Sequence, residues 1–60
     1  MKKIIEYSYE EGEKLNELCE RVNASIKEGW QPLRGVNLQI AREGNNYRTF
    51  YTQSIVIYED

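Results

Sequence analysis

The chain has 60 residues, with 10 acidic and 8 basic side chains, a formal charge of −2, one cysteine and no histidine. That length leaves room for a single domain, residues 1–60, of a size that buries only about 60% of the surface its unfolded chain exposes and usually needs a staple. A lone cysteine rules out an internal disulfide, and one cysteine without histidine cannot supply the usual zinc ligands, so association with another chain is the staple that remains.

The first element is expected over residues 2–8. Ile5 and Tyr7 alternate with Ile4, Glu6 and Ser8, and the β-branched and aromatic content reads as a strand. Ser8-Tyr9-Glu10-Glu11 fits a capping box, with Ser8 as N-cap and Glu11 reaching back. Gly12 costs about 1 kcal/mol relative to alanine if it lies inside the helix, so the start could fall a turn later. Leu15, Leu18, Cys19, Val22 and Ile26 form one apolar stripe at helical spacing, which makes Cys19 a buried structural cysteine rather than a reactive thiol. Gly29 is the natural residue just past the helix end, and Lys27 suits the last turn.

Pro32 cannot continue the helix, and Val36, Leu38 and Ile40 then alternate with Asn37, Gln39 and Ala41 as a half-buried strand. Gly35 marks a bulge or a close backbone approach. Glu43-Gly44-Asn45-Asn46 is a turn by composition. Residues 47–58 read as one long strand with large apolar groups on both faces, which a strand exposed on one side should not carry. The expected fold is therefore α+β, in the order β-α-β-β. A three-stranded, mainly antiparallel sheet in order 1-3-2 carries one helix on one face. Pairing the first strand beside the second would instead require a parallel, right-handed crossover. One helix cannot cover both faces of this sheet, and an exposed apolar patch of that kind marks an interface, so a homo-oligomer is expected.

Glu28-Gly29-Trp30-Gln31-Pro32-Leu33-Arg34-Gly35-Val36 resembles the hallmark of a family of short bacterial and phage domains of unknown function, with a consensus near E-G-W-x-P-L-G-G-V. A second stretch, Phe50-Tyr51-Thr52-Gln53-Ser54-Ile55-Val56, is similar to that family's last strand. This chain departs at Arg34, where a glycine is common, and at Thr52 and Ser54. The resemblance covers nearly the whole chain and implies the same order of elements, but no activity. By analogy of size alone, some small phage proteins sequester nucleotide-like immune signals at subunit interfaces.

The chemistry-bearing residues favour binding over catalysis. Without histidine, neither a Ser-His-Asp nor a Cys-His arrangement can form, and Glu10, Glu11, Glu13, Glu17 and Glu20 belong mostly to a solvated helix face. The glycines at 29, 35 and 44 are isolated and make no phosphate loop, and no cofactor or catalytic metal is expected. Trp30 packs over the helix end or offers a stacking surface, and Arg34 beside it suits a phosphate or carboxylate. With Asn37, Tyr47, Arg48 and Tyr51 these residues form a candidate pocket at a subunit interface, for a small anionic, nucleotide-like ligand. The alternative is a protein-interaction or inhibitor module docking through the exposed sheet face or edge. Asn37, Gln39, Thr49, Thr52 and Gln53 need hydrogen-bond partners wherever the sheet is covered.

Mixed charge argues against general nucleic-acid binding, which needs a concentrated positive field. No apolar stretch approaches a membrane span, and Ile4-Ile5 after Lys2 and Lys3 is too short for a signal peptide, so a cytoplasmic setting is expected.

Overall fold

A computed structural model describes residues 2–59. Its elements are β1 (Lys3–Gly12), α1 (Leu15–Lys27), β2 (Gln31–Glu43) and β3 (Asn46–Glu59). They build one sheet in the order β1-β3-β2, with both pairings antiparallel. This is the expected β-α-β-β fold in its wholly antiparallel form. The strand with apolar groups on both faces takes the centre, where each of its sides gains a neighbour.

The capping box at Ser8 does not form. Ser8, Glu10 and Gly12 instead extend β1, pairing with Ile55, Gln53 and Tyr51. The helix starts only at Leu15, after an extended Lys14 that makes no side-chain cap. A capping box contributes about 1 kcal/mol, less than the ladder bonds and cross-strand contacts that replace it. Gly12 is essential to this turn: a Cβ there would stand 2.9 Å from the backbone nitrogen of Leu18. Gly12→Ala should therefore cost about 1–3 kcal/mol through a clash neither backbone can relieve cheaply, read as a lower urea midpoint with an unchanged slope. At the other end, Gly29 N–H donates to Ile26 C=O and Trp30 N–H to Ser25 C=O, with Gly29 at φ 103. That is a Schellman closure, and it is why a glycine follows the last turn.

Strand register sorts the sheet into two faces, since paired residues share a face. Ser8, Glu10 and Gly12 lie with Tyr51, Gln53 and Ile55, and with Pro32 and Leu38 of β2. The helix packs on this face. Ser25 Oγ donates to Glu10 Oε2 at 2.6 Å, a charge-assisted bond from the buried side of α1. Among the described residues only three apolar side chains are buried: Leu18 and Ile55 between helix and sheet, and Val56 on the opposite face, flanked in register by Tyr7 and Gln31.

Cys19 is exposed, contrary to its place on the apolar stripe. The buried side of α1 runs through Leu18 and Ser25, about 65° round the helix from the centre of that stripe. Ser25 displaces an apolar residue from the buried side because it finds Glu10 as a partner. Leu15 and Ile26 turn out to solvent with Cys19.

β2 carries an irregularity between Leu33, opposite Ser54, and Asn37, opposite Thr52. Arg34, Gly35 and Val36 together face Gln53 alone. The bulge lies where Gly35 suggested one, but the left-handed residue is Arg34, at φ 66. Non-glycine residues pay about 1–2 kcal/mol for that conformation. Arg34→Gly should stabilise the fold by about 0.5–1 kcal/mol, after the extra flexibility of the unfolded chain is set against it; a thermal melt that shifts upward by a few degrees is the expected readout.

β1 stops at Gly12, opposite Tyr51, while β2 and β3 continue to the pair Glu43–Asn46 and a two-residue turn at Gly44-Asn45. Asn46–Phe50 and their β2 partners thus form a two-stranded arm beyond the helix. The arm makes the molecule long and thin, 48 × 19 × 14 Å.

Candidate functional site

The six residues expected to form a pocket are strung along the β2–β3 hairpin. Tyr47 pairs with Arg42 near the arm tip, Arg48 with Ala41, Tyr51 with Leu38 and Asn37 with Thr52. Trp30 precedes Gln31, which pairs with Val56 at the far end. At about 3.3 Å per residue, Trp30 and Tyr47 are separated by about 30 Å. They also divide between faces: Tyr47 and Tyr51 share the helix-bearing face, while Arg48 and Asn37 share the other. Arg34 stands exposed on the bulge. A single chain therefore holds Arg34 and Asn37 at the bulge, Tyr47 and Arg48 on the arm and Trp30 apart at the far end, rather than one pocket.

The bulge cluster rests on Gln53. Its amide nitrogen donates to the carbonyl oxygens of Leu33 and Arg34, each at 3.1 Å, and to that of Ser54 at 3.0 Å. Gln53 is only 5% exposed. A side-chain amide replaces the ladder bonds that the bulge interrupts, which holds Arg34 out from the sheet on a fixed backbone. The polar residue that required a partner finds it within its own chain.

On the arm, the Arg48 guanidinium lies 5.5 Å from the centroid of the Phe50 ring and 3.8 Å from carboxylate oxygens of both Glu13 and Glu43. These exposed pairs contribute little stability individually, but they orient the guanidinium. Below them is an open groove of about 270 Å³ where β1 ends and the β3 edge emerges, lined by Glu11, Gly12, Glu13, Glu17, Arg21, Arg48 and Phe50. Arg21 donates to the Glu11 carbonyl at its rim. Sequence spacing could not reveal this groove, because its residues meet only after β1 stops short of the arm. Within it Arg48 pairs with Glu13, while Arg21 is held by a backbone carbonyl rather than a carboxylate.

The apolar surface is more extensive. On the helix-bearing face, Leu38 is 57%, Ile40 66% and Tyr47 69% exposed along the arm. On the open face, Ile4, Tyr7 and Tyr9 are also exposed. Tyr7 and Ser54 share a hydrogen bond of 2.8 Å between their hydroxyls.

Among the described residues, no group of His, Cys, Asp and Glu could hold a metal ion, and no helix is long and apolar enough to cross a membrane. No protein-family model, curated protein or solved structure matches the chain.

Proposed function

We propose that this domain is a non-catalytic binding module whose working form is an assembly of its own copies. The observation that supports this reading is surface area. The chain exposes 4873 Å² at a mass of 7.1 kDa. Folded monomers of that mass expose about 4,100 Å². The excess, about 800 Å², equals one protomer's share of a standard protein–protein interface. The radius of gyration agrees: 13.5 Å, against about 10 Å for a compact domain of this length. A two-stranded hairpin projecting alone into water is marginal, and this one presents Leu38, Ile40 and Tyr47 to solvent. Light scattering over a wide concentration range tests the reading. An oligomer is expected at micromolar concentration; a chain still monomeric at millimolar concentration would sink it.

A finer reading gives the assembly a small anionic ligand, with a nucleotide the sharpest candidate. It is favoured by two arginines: Arg34, whose backbone carbonyl is tied to the bulge by Gln53, and Arg48, whose guanidinium lies against Phe50. Planar guanidiniums grip phosphate in bidentate fashion, and Trp30 and Tyr47 supply rings for stacking. Calorimetric titration with a nucleotide panel should give heat that Arg34→Ala and Arg48→Ala each reduce at least tenfold. No heat from any member would remove the ligand and leave the self-association reading to stand or fall by scattering.

A further inference from the structure

We propose that two copies join edge to edge through β2, antiparallel about a two-fold axis near Gln39, to make one continuous six-stranded sheet. The proposal rests on the self-association reading above and specifies which surface carries it.

The strand order leaves two edges, the outer sides of β1 and β2. Edges that remain free in solution are blunted by charge, proline or bulges. β1 is blunted: it carries Lys3, Glu6, Glu10 and Glu11 and a register irregularity between Ile4 and Glu6. β2 is blunted only at its first residues, by Pro32 and the bulge over Arg34, Gly35 and Val36. From Asn37 to Ala41 it has neither a charged residue nor a proline. Leu38 and Ile40 in that stretch are 57% and 66% exposed.

A two-fold axis near Gln39, perpendicular to the sheet, keeps the helix-bearing faces of both copies on the same side. Leu38 then stands opposite Ile40 of the partner subunit, and the reverse by symmetry, a pair of close aliphatic cross-strand contacts. At each end Glu43 of the partner subunit comes to the bulge that carries Arg34. The area fits as well, since the excess exposed surface matches what one protomer gives up in a standard dimer.

This pairing also answers the division of the candidate residues along the hairpin. Antiparallel alignment lays the arm tip of one copy beside the bulge of the other. Arg34 and Trp30 of one protomer then lie at the same end as Tyr47 of the partner subunit, although within a chain Trp30 and Tyr47 are about 30 Å apart. The pair gathers these residues at each end of the joined sheet, with Tyr47 on the helix-bearing face and Arg48 and Asn37 on the other.

The test combines light scattering with amide hydrogen exchange on the full chain under reducing conditions, since Cys19 is exposed. The expected result is a dimer in which alternate β2 amides between residues 36 and 42, those pointing away from β3, exchange at least tenfold more slowly than in the diluted monomer. Ile40→Lys should weaken the dimer at least a hundredfold without lowering the melting temperature of the diluted monomer. Tyr9→Lys, on the open face, should leave the dimer intact. An oligomer whose outward β2 amides stay unprotected, or one that survives Ile40→Lys but is lost in Tyr9→Lys, overturns edge pairing while keeping self-association. A monomer at millimolar concentration overturns both.

Discussion

Leu18→Ala is expected to remove about half of the protein's stability or more. Leu18 is 1% exposed and, among the described residues, is one of only three buried apolar side chains. Truncating a fully buried leucine costs about 3–5 kcal/mol, from lost transfer energy and the cavity left behind. A domain of this length has a total stability of about 3–9 kcal/mol. The core is too thin to relax around the gap, because Gly12 already holds the β1 backbone against the Leu18 backbone. Urea unfolding followed by circular dichroism, at concentrations low enough to keep the chain dissociated, gives the readout. Leu15→Ala is the matched control on the same helix: Leu15 is 50% exposed, so its loss should stay under about 1 kcal/mol. Equal losses for the two would mean that α1 does not dock through Leu18.

The second large effect is Gln53→Glu, a nearly isosteric change at a buried site. Gln53 donates to three carbonyl oxygens at the β2 bulge. A glutamate carboxylate there would face those oxygens with its own and leave the bulge carbonyls without a donor. The expected cost at pH 7 is about 2–4 kcal/mol, combining unsatisfied buried acceptors with a desolvated charge. The pH dependence has a definite sign. Burial raises the introduced carboxyl's pKa in the folded state above its unfolded value of about 4.3. The variant's stability, measured against wild type at each pH, is therefore greatest below that unfolded value and is lost as pH rises through the folded one. Gln53→Met keeps the volume and removes the donor without adding charge. It should lose about 1–3 kcal/mol with no such pH dependence. If neither variant differed from wild type, the bulge would not depend on Gln53.

These two residues illustrate different kinds of legibility. Leu18 belongs to an apolar stripe that any helical reading finds, yet the stripe alone ranks it with Cys19 and Leu15, which are exposed. Which side of a helix is buried depends on where it meets the sheet. Here the Ser25–Glu10 hydrogen bond turns α1 toward β1. Gln53 had only a composition signal, a polar residue in the most apolar strand. Its role requires knowing that three residues of β2 stand opposite it.

The candidate site divides in the same way. Trp30, Arg34 and Asn37 are close in the chain but are spread along the extended β2, while Tyr47 and Arg48 are neighbours on β3. That Trp30 and Tyr47 lie at opposite ends of a hairpin follows from antiparallel pairing, which sends residues on either side of a turn progressively farther along the same axis. The groove formed by Glu11, Glu17, Arg21 and Arg48 left no trace in local spacing, because it arises where one strand ends and two others continue.

By itself the sequence determined the order of elements, the Gly29 helix end, the Gly44 turn and the excess of apolar surface. Each of these follows from short-range periodicity or from backbone chemistry at a single residue. Only the tertiary structure decided that β1 runs on through the capping box to Gly12, that α1 buries Leu18 and exposes Cys19, that Arg34 carries the left-handed bend, and that the hairpin projects as a bare arm. Each is a competition between a local preference and a partner distant in sequence. A capping box, an apolar stripe or a lone glycine states the preference without naming the partner that overrides it.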